Sequence, residues 1–74
     1  MMNKITINTD FIQLDQFLKW AGVVESGGQV KIMVDEGIVF VNNNLETARR
    51  RKLKNGDVVK IKEIGSWQVV TGGE

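Results

Sequence analysis

The chain has no cysteine and no histidine among its 74 residues. Lacking cysteine, it has no disulfide staple and no thiolate site. Lacking histidine, it is without the commonest general base and the commonest metal ligand. Ser26 and Ser66 therefore have no imidazole to activate them. The carboxylates do not fill the gap. Asp35 and Glu36 are neighbours on a predicted helix and point apart, while Asp10 and Asp15 are accounted for by capping and by helix surface. Carboxylates alone do not make a dedicated transition-metal site. No catalytic residue, cofactor, metal or small-molecule substrate is expected. Long apolar runs are missing as well. The N-terminus has no signal-peptide stretch, and nothing approaches the ~20 apolar residues of a membrane span. The expectation is a cytoplasmic protein with no membrane partner. There is no internal repeat, low-complexity tract or linker, so residues 1–74 read as one domain. So small a domain buries little core, and its stability is expected to be on the order of 3–5 kcal/mol.

What is present is charge, unevenly placed. Residues 48–62 hold Arg49, Arg50, Arg51, Lys52, Lys54, Lys60 and Lys62 against Asp57 alone, a local net of +6. The remainder holds three lysines and eight carboxylates, a net of −5, so a total of +1 hides a polarised molecule. Such polarity makes a local field that attracts polyanions.

The chain divides into a helical first half and a β second half. Lys4 to Asn8 alternates, with Ile5 and Ile7 on one face, and reads as a strand. Asp10 with Gln13 reads as a variant capping box. Leu14, Phe17, Leu18 and Ala21 then form one helical stripe, ended by Gly22. Ser26-Gly27-Gly28-Gln29 fits a second capping box. Val30, Met33 and Val34 form the next stripe, with Ile32 off it, and Gly37 closes the helix. After Gly37, residues 38–41 read as a central strand and 42–44 as an Asn turn. Residues 45–47 read as a short return strand and 48–55 as a basic loop. Asn55-Gly56-Asp57 reads as a turn, and Val59 and Ile61 mark a strand with a wet, basic face. Gly65 breaks this strand, residues 67–70 form a last one, and 71–74 should fray.

This order resembles the small RNA-binding domain named after small-subunit ribosomal protein S-four, built around an alpha-L motif. The matching pieces begin with Leu14-Asp15, Phe17-Leu18 and Gly22, followed by Ser26 through Lys31. They continue with Gly37 through Asn42 and Lys52 through Val59, and together cover roughly residues 10–62. A stand-alone bacterial subgroup has a similar S-G-G-Q helix start and basic loop. The chain departs from the family pattern at Gln13 and Gln16, where many members are basic, and at Gly27-Gly28, where many carry Arg. The cationic run Arg49 to Lys52 compensates. The resemblance implies an α+β fold, two packed helices on a small, mainly antiparallel β-sheet. It also implies binding to structured or ribosomal RNA.

Two segments are the candidate RNA contacts. Four successive cations gain nothing in a core, so Arg49, Arg50, Arg51 and Lys52, with Lys54, are either a solvated loop or a phosphate-binding one. Lys60 and Lys62 continue the charge and favour the second reading. Arg binds phosphate bidentately and stacks on bases. The second segment is Ser26, Gly27, Gly28 and Gln29 with Lys31. A helix N-terminus carries partial positive charge, and glycines allow close approach of a phosphate. The alternative there is an ordinary cap. Gly27-Gly28-Gln29 also spells the tripeptide of peptide-release factors, but that chemistry needs a mobile tip rather than a helix start. Trp20 and Trp67 are either half-exposed stacking surfaces or core filling. Two partner classes stay open beside RNA: an acidic protein docked on the basic edge, and DNA.

Overall fold

The computed structural model describes residues 2–72. Strand β1 (Met2–Ile7) leads to a three-residue strand β2 (Phe11–Gln13), then to helices α1 (Leu14–Trp20) and α2 (Gly27–Asp35). Five strands follow: β3 (Val39–Val41), β4 (Asn44–Leu45), β5 (Lys52–Lys54), β6 (Val58–Ile61) and β7 (Gly65–Thr71). The main sheet has the order β1-β7-β6-β3-β4. β1 runs parallel to β7, and the other neighbours are antiparallel. β2 and β5 form a separate antiparallel ribbon. The expected α+β class with two helices on a mainly antiparallel sheet is what the chain adopts. No helix among the described residues is long and apolar enough to cross a membrane.

Leu14, Phe17 and Leu18 of α1 and Val30 of α2 are fully buried against Val39, Val59, Ile61 and Val69 of the sheet. Leu53 of β5 is also fully buried, which fastens the ribbon to the same core. Both helices end as the glycines predict. Gly22 and Gly37 have φ of 78° and 73°, the left-handed region that a side chain disfavours. The Val23 N–H donates to Leu18 O (2.9 Å) and the Ile38 N–H to Met33 O (3.3 Å), so each helix closes in a Schellman motif. Asn42 and Asn43, both at positive φ, connect β3 to β4 as a two-residue hairpin loop.

Four expectations are corrected. Asp10 does not cap α1, because Phe11–Gln13 is extended and pairs with β5, so the helix starts three residues later than that cap requires. The return strand at 45–47 is only Asn44–Leu45, since Glu46 turns inward. The basic segment is not loop throughout to residue 55, because Lys52–Lys54 is a strand. The last strand, expected at 67–70, runs from Gly65, after β6 has ended at Ile61, to Thr71, which pairs with Ile7. Of the tail expected to fray at 71–74, residues 73–74 lie outside the described residues.

Candidate nucleic-acid interface

The basic segment opens as a tight turn held from three sides. The Arg51 N–H donates to Ala48 O (3.0 Å), which places Arg49 and Arg50 at the turn's centre. The Arg49 and Arg51 carbonyls accept the N–H groups of Asp15 (2.9 Å) and Leu14 (2.8 Å). These are donors that a helix start leaves without intrahelical partners, so main chain from the turn does the work that a capping side chain was expected to do. Buried Glu46 ties the entry. Its carboxylate accepts from the Thr47 N–H (3.1 Å), the Ala48 N–H (3.0 Å) and Arg51 Nη1 (2.7 Å).

α2 starts as predicted. Ser26 and Gln29 form the capping box. The Gln29 half is the stronger, because Oε1 accepts from the Ser26 N–H (3.3 Å) and the Glu25 N–H (2.5 Å). The Ser26 hydroxyl half falls short of full hydrogen-bond geometry. No acidic residue lies in the first turn of this helix. A methyl group added at Gly27 would lie 3.6 Å from Asp15 Oδ2 and 3.9 Å from Arg49 Nη1. The fold therefore brings the two candidate segments together, with the half-buried Arg49 guanidinium beside the positive end of α2 and the Asp15 carboxylate from α1 in the same cluster.

The other predicted cations differ in how much charge they leave available. Lys31 pairs with Asp35 one turn on (3.0 Å), with both side chains exposed. Arg51 is committed to Glu46, and Lys54 lies 3.5 Å from Asp57. Lys52 sits over the Phe11 ring, 4.3 Å from its centroid. Among the described residues, Arg49, Arg50 and Lys52 are in no ion pair. Lys60 lies on β6 of the main sheet, on the face opposite buried Val59 and Ile61, whereas Lys52 and Lys54 lie on the ribbon.

Three organising residues gave little sequence signal. Glu46 and Asp57 are acids within or beside a basic run, and only the fold shows them buried. Phe11 is the partner of Lys52 because Phe11 and Lys54, and Gln13 and Lys52, are cross-strand neighbours, a register that the expected cap at Asp10 hid.

Asp57 anchors the turn between β5 and β6. Burial raises its pKa. The Lys54 N–H (2.9 Å), the Asn42 amide (3.1 Å) and the Lys54 ammonium lower it, and they prevail, so it stands below the ordinary 3.8. A lowered folded-state pKa means that this group's stabilisation is present above its unfolded value and is lost as pH falls through the lower folded one. Asp57→Asn is therefore expected to be less stable than the parent at pH 7, and the gap should close below about pH 4. Urea denaturation of both proteins across that range checks this. A gap that persists to pH 2 would mean that the charge contributes nothing.

Gly28 tests the helix end. A side chain added there meets only the Ser26 hydroxyl, at 3.7 Å. An aspartate in the first turn also suits the helix dipole. Gly28→Asp is expected to keep or slightly raise the melting temperature while weakening RNA binding, because it sets a carboxylate where a phosphate would lie. Unchanged affinity in the folded variant removes this helix end from the interface.

A family model described as S4 domain matches residues 5–70. The chain is also 50% identical over 70 residues to "Probable ribosome maturation protein RlbA" of Bacillus subtilis (strain 168). That alignment covers 95% of this chain and 99% of the relative.

Proposed function

The chain belongs to the S4 domain family, and on that premise we propose that it is a non-catalytic, cytoplasmic RNA-binding protein. Its partner is structured RNA, and the relative's name makes ribosomal RNA during ribosome maturation the leading class. The interface is the 48–51 turn with Lys52 and Lys54, completed by Ser26, Gly27, Gly28, Gln29 and Lys31 at the start of α2. The supporting observation is that Arg49 lies beside Gly27, with the Asp15 carboxylate in the same cluster, which brings a guanidinium and a helix N-terminus to one place. Both are suited to a phosphate. Arg50 and Lys52 extend that positive surface without a carboxylate to neutralise them.

Main-chain bonds hold the backbone of the turn, so binding has only its side chains left to order. Phosphate contacts of this kind position a protein on RNA and carry little sequence information, and paired RNA is read mostly through backbone and shape. Affinity is therefore expected to depend on salt and RNA shape more than on sequence.

The test is affinity capture of the tagged protein from bacterial lysate with and without ribonuclease, followed by sequencing of bound RNA. Ribosomal RNA recovered from the untreated sample, and protein partners lost on treatment, is the expected result. A protein partner retained after ribonuclease, with no RNA enriched, would replace this reading with that of an adaptor docked on an acidic protein.

A further inference from the structure

Along α1, from Phe11 and Ile12 before its start to Trp20 at its end, lies an aromatic groove lined by none of the proposed phosphate contacts. Trp20 is 59% exposed and Phe11 49% exposed, an uncommon placement for large rings in so small a domain. Trp20 is nevertheless fixed, because its indole N–H donates to Thr6 O (2.9 Å) and ties the end of α1 to β1. With Ile12 and Gln16, the two rings line a depression that continues along Trp20 to Lys19. Asn8 closes its far end. Lys19 lines the groove's extension and Lys52 lies over the Phe11 ring, while exposed Asp10 stands in the chain between Thr9 and Phe11 of its wall.

We propose that this groove takes an unpaired nucleobase of the bound RNA, stacked on Trp20. The occupant follows from the chemistry of the walls. An aromatic surface with amide side chains at hand suits a flat ring with polar edges. Lys19 and Lys52 suit the phosphates on either side of it. Lys52 covers part of Phe11, so Trp20 is the stacking surface and Phe11 with Ile12 the wall. Because Lys52 of the basic segment lies over the ring of Phe11, a wall of the groove, one RNA can reach both regions. The RNA class is then a helix flanked by an unpaired nucleotide, rather than an uninterrupted duplex. The inference rests on the RNA-binding reading above.

The test uses the full chain carrying Trp67→Phe, so that Trp20 is the sole indole. One probe is a short RNA stem closed into a hairpin by a non-nucleotide linker, with a single unpaired adenosine beside the stem, and the other is the same hairpin without it. Binding of the first is expected to quench Trp20 emission and to be about tenfold tighter than that of the second. Trp20→Ala should remove that tenfold advantage and leave affinity for the fully paired hairpin unchanged. Trp20→Phe, which lacks the indole N–H but still offers a ring, should keep most of the advantage, and thermal melting confirms that each variant folds. If both hairpins bind equally and emission does not change, the groove proposal is overturned while RNA binding stands, and the groove is left to a protein partner. If neither hairpin binds the parent chain, both readings fall.

Discussion

Replacing Arg50 and Lys52 together by alanine is expected to weaken RNA binding roughly tenfold or more, about 1.4 kcal/mol, and to leave the melting temperature nearly unchanged. Arg50 is exposed at the tip of the turn and in no ion pair among the described residues. Lys52 is exposed, and its contact with Phe11 is a surface cation–π pair worth about 0.5–1 kcal/mol. Relief of repulsion among Arg49, Arg50, Arg51 and Lys52 offsets part of that. The main-chain bonds from the Asp15 and Leu14 N–H groups to the turn survive, because they use Arg49 and Arg51 carbonyls, not side chains. Thermal melting and a binding titration on one preparation decide the matter. Early unfolding would make these cations structural, and unaltered binding would make them a solvated surface.

Glu46→Ala should behave in the opposite way and cost stability first. Its buried carboxylate accepts three hydrogen bonds, two from main chain at the entry to the turn and one from Arg51. Breaking a buried pair costs about 3–5 kcal/mol. Arg51 is 41% exposed, however, and regains water when released. A loss of about 2 kcal/mol is therefore expected, which lowers the melting temperature by roughly 8–16 °C in a domain this small. Against a total on the order of 3–5 kcal/mol, that is a large share. Arg51→Ala should cost less, because it leaves Glu46 with two of its donors. A shift of only a degree or two in Glu46→Ala would mean that the main-chain bonds to α1 hold the turn by themselves.

How far the sequence carried the reading depended on the range of the interactions involved. Both helix ends at glycine, the Ser26–Gln29 box and the Val59/Ile61 alternation are local patterns, and each has its predicted role in the fold. The start of α1 failed because its cap is not local. The acceptors for its first N–H groups come from Arg49 and Arg51, more than thirty residues away in the chain. The same long-range pairing turned Phe11–Gln13 and Lys52–Lys54 into strands. Charge along the chain does not say which sheet a strand joins, and β5 and β6 place Lys52 and Lys60 in different ones. The S4 domain resemblance was legible over residues 10–62, and the family match spans the wider 5–70.

The central claim is that a few cations, fixed on a turn beside a helix N-terminus, bind RNA through its phosphates. Its most direct test is the salt dependence of binding to a ribosomal RNA fragment recovered by capture. Each phosphate contact releases counterions, so log K should fall with log salt at a slope of roughly −3 to −4. The Arg50→Ala, Lys52→Ala protein should flatten that slope by about two. A parent slope near zero, or a slope that the double substitution leaves unchanged, would contradict the account.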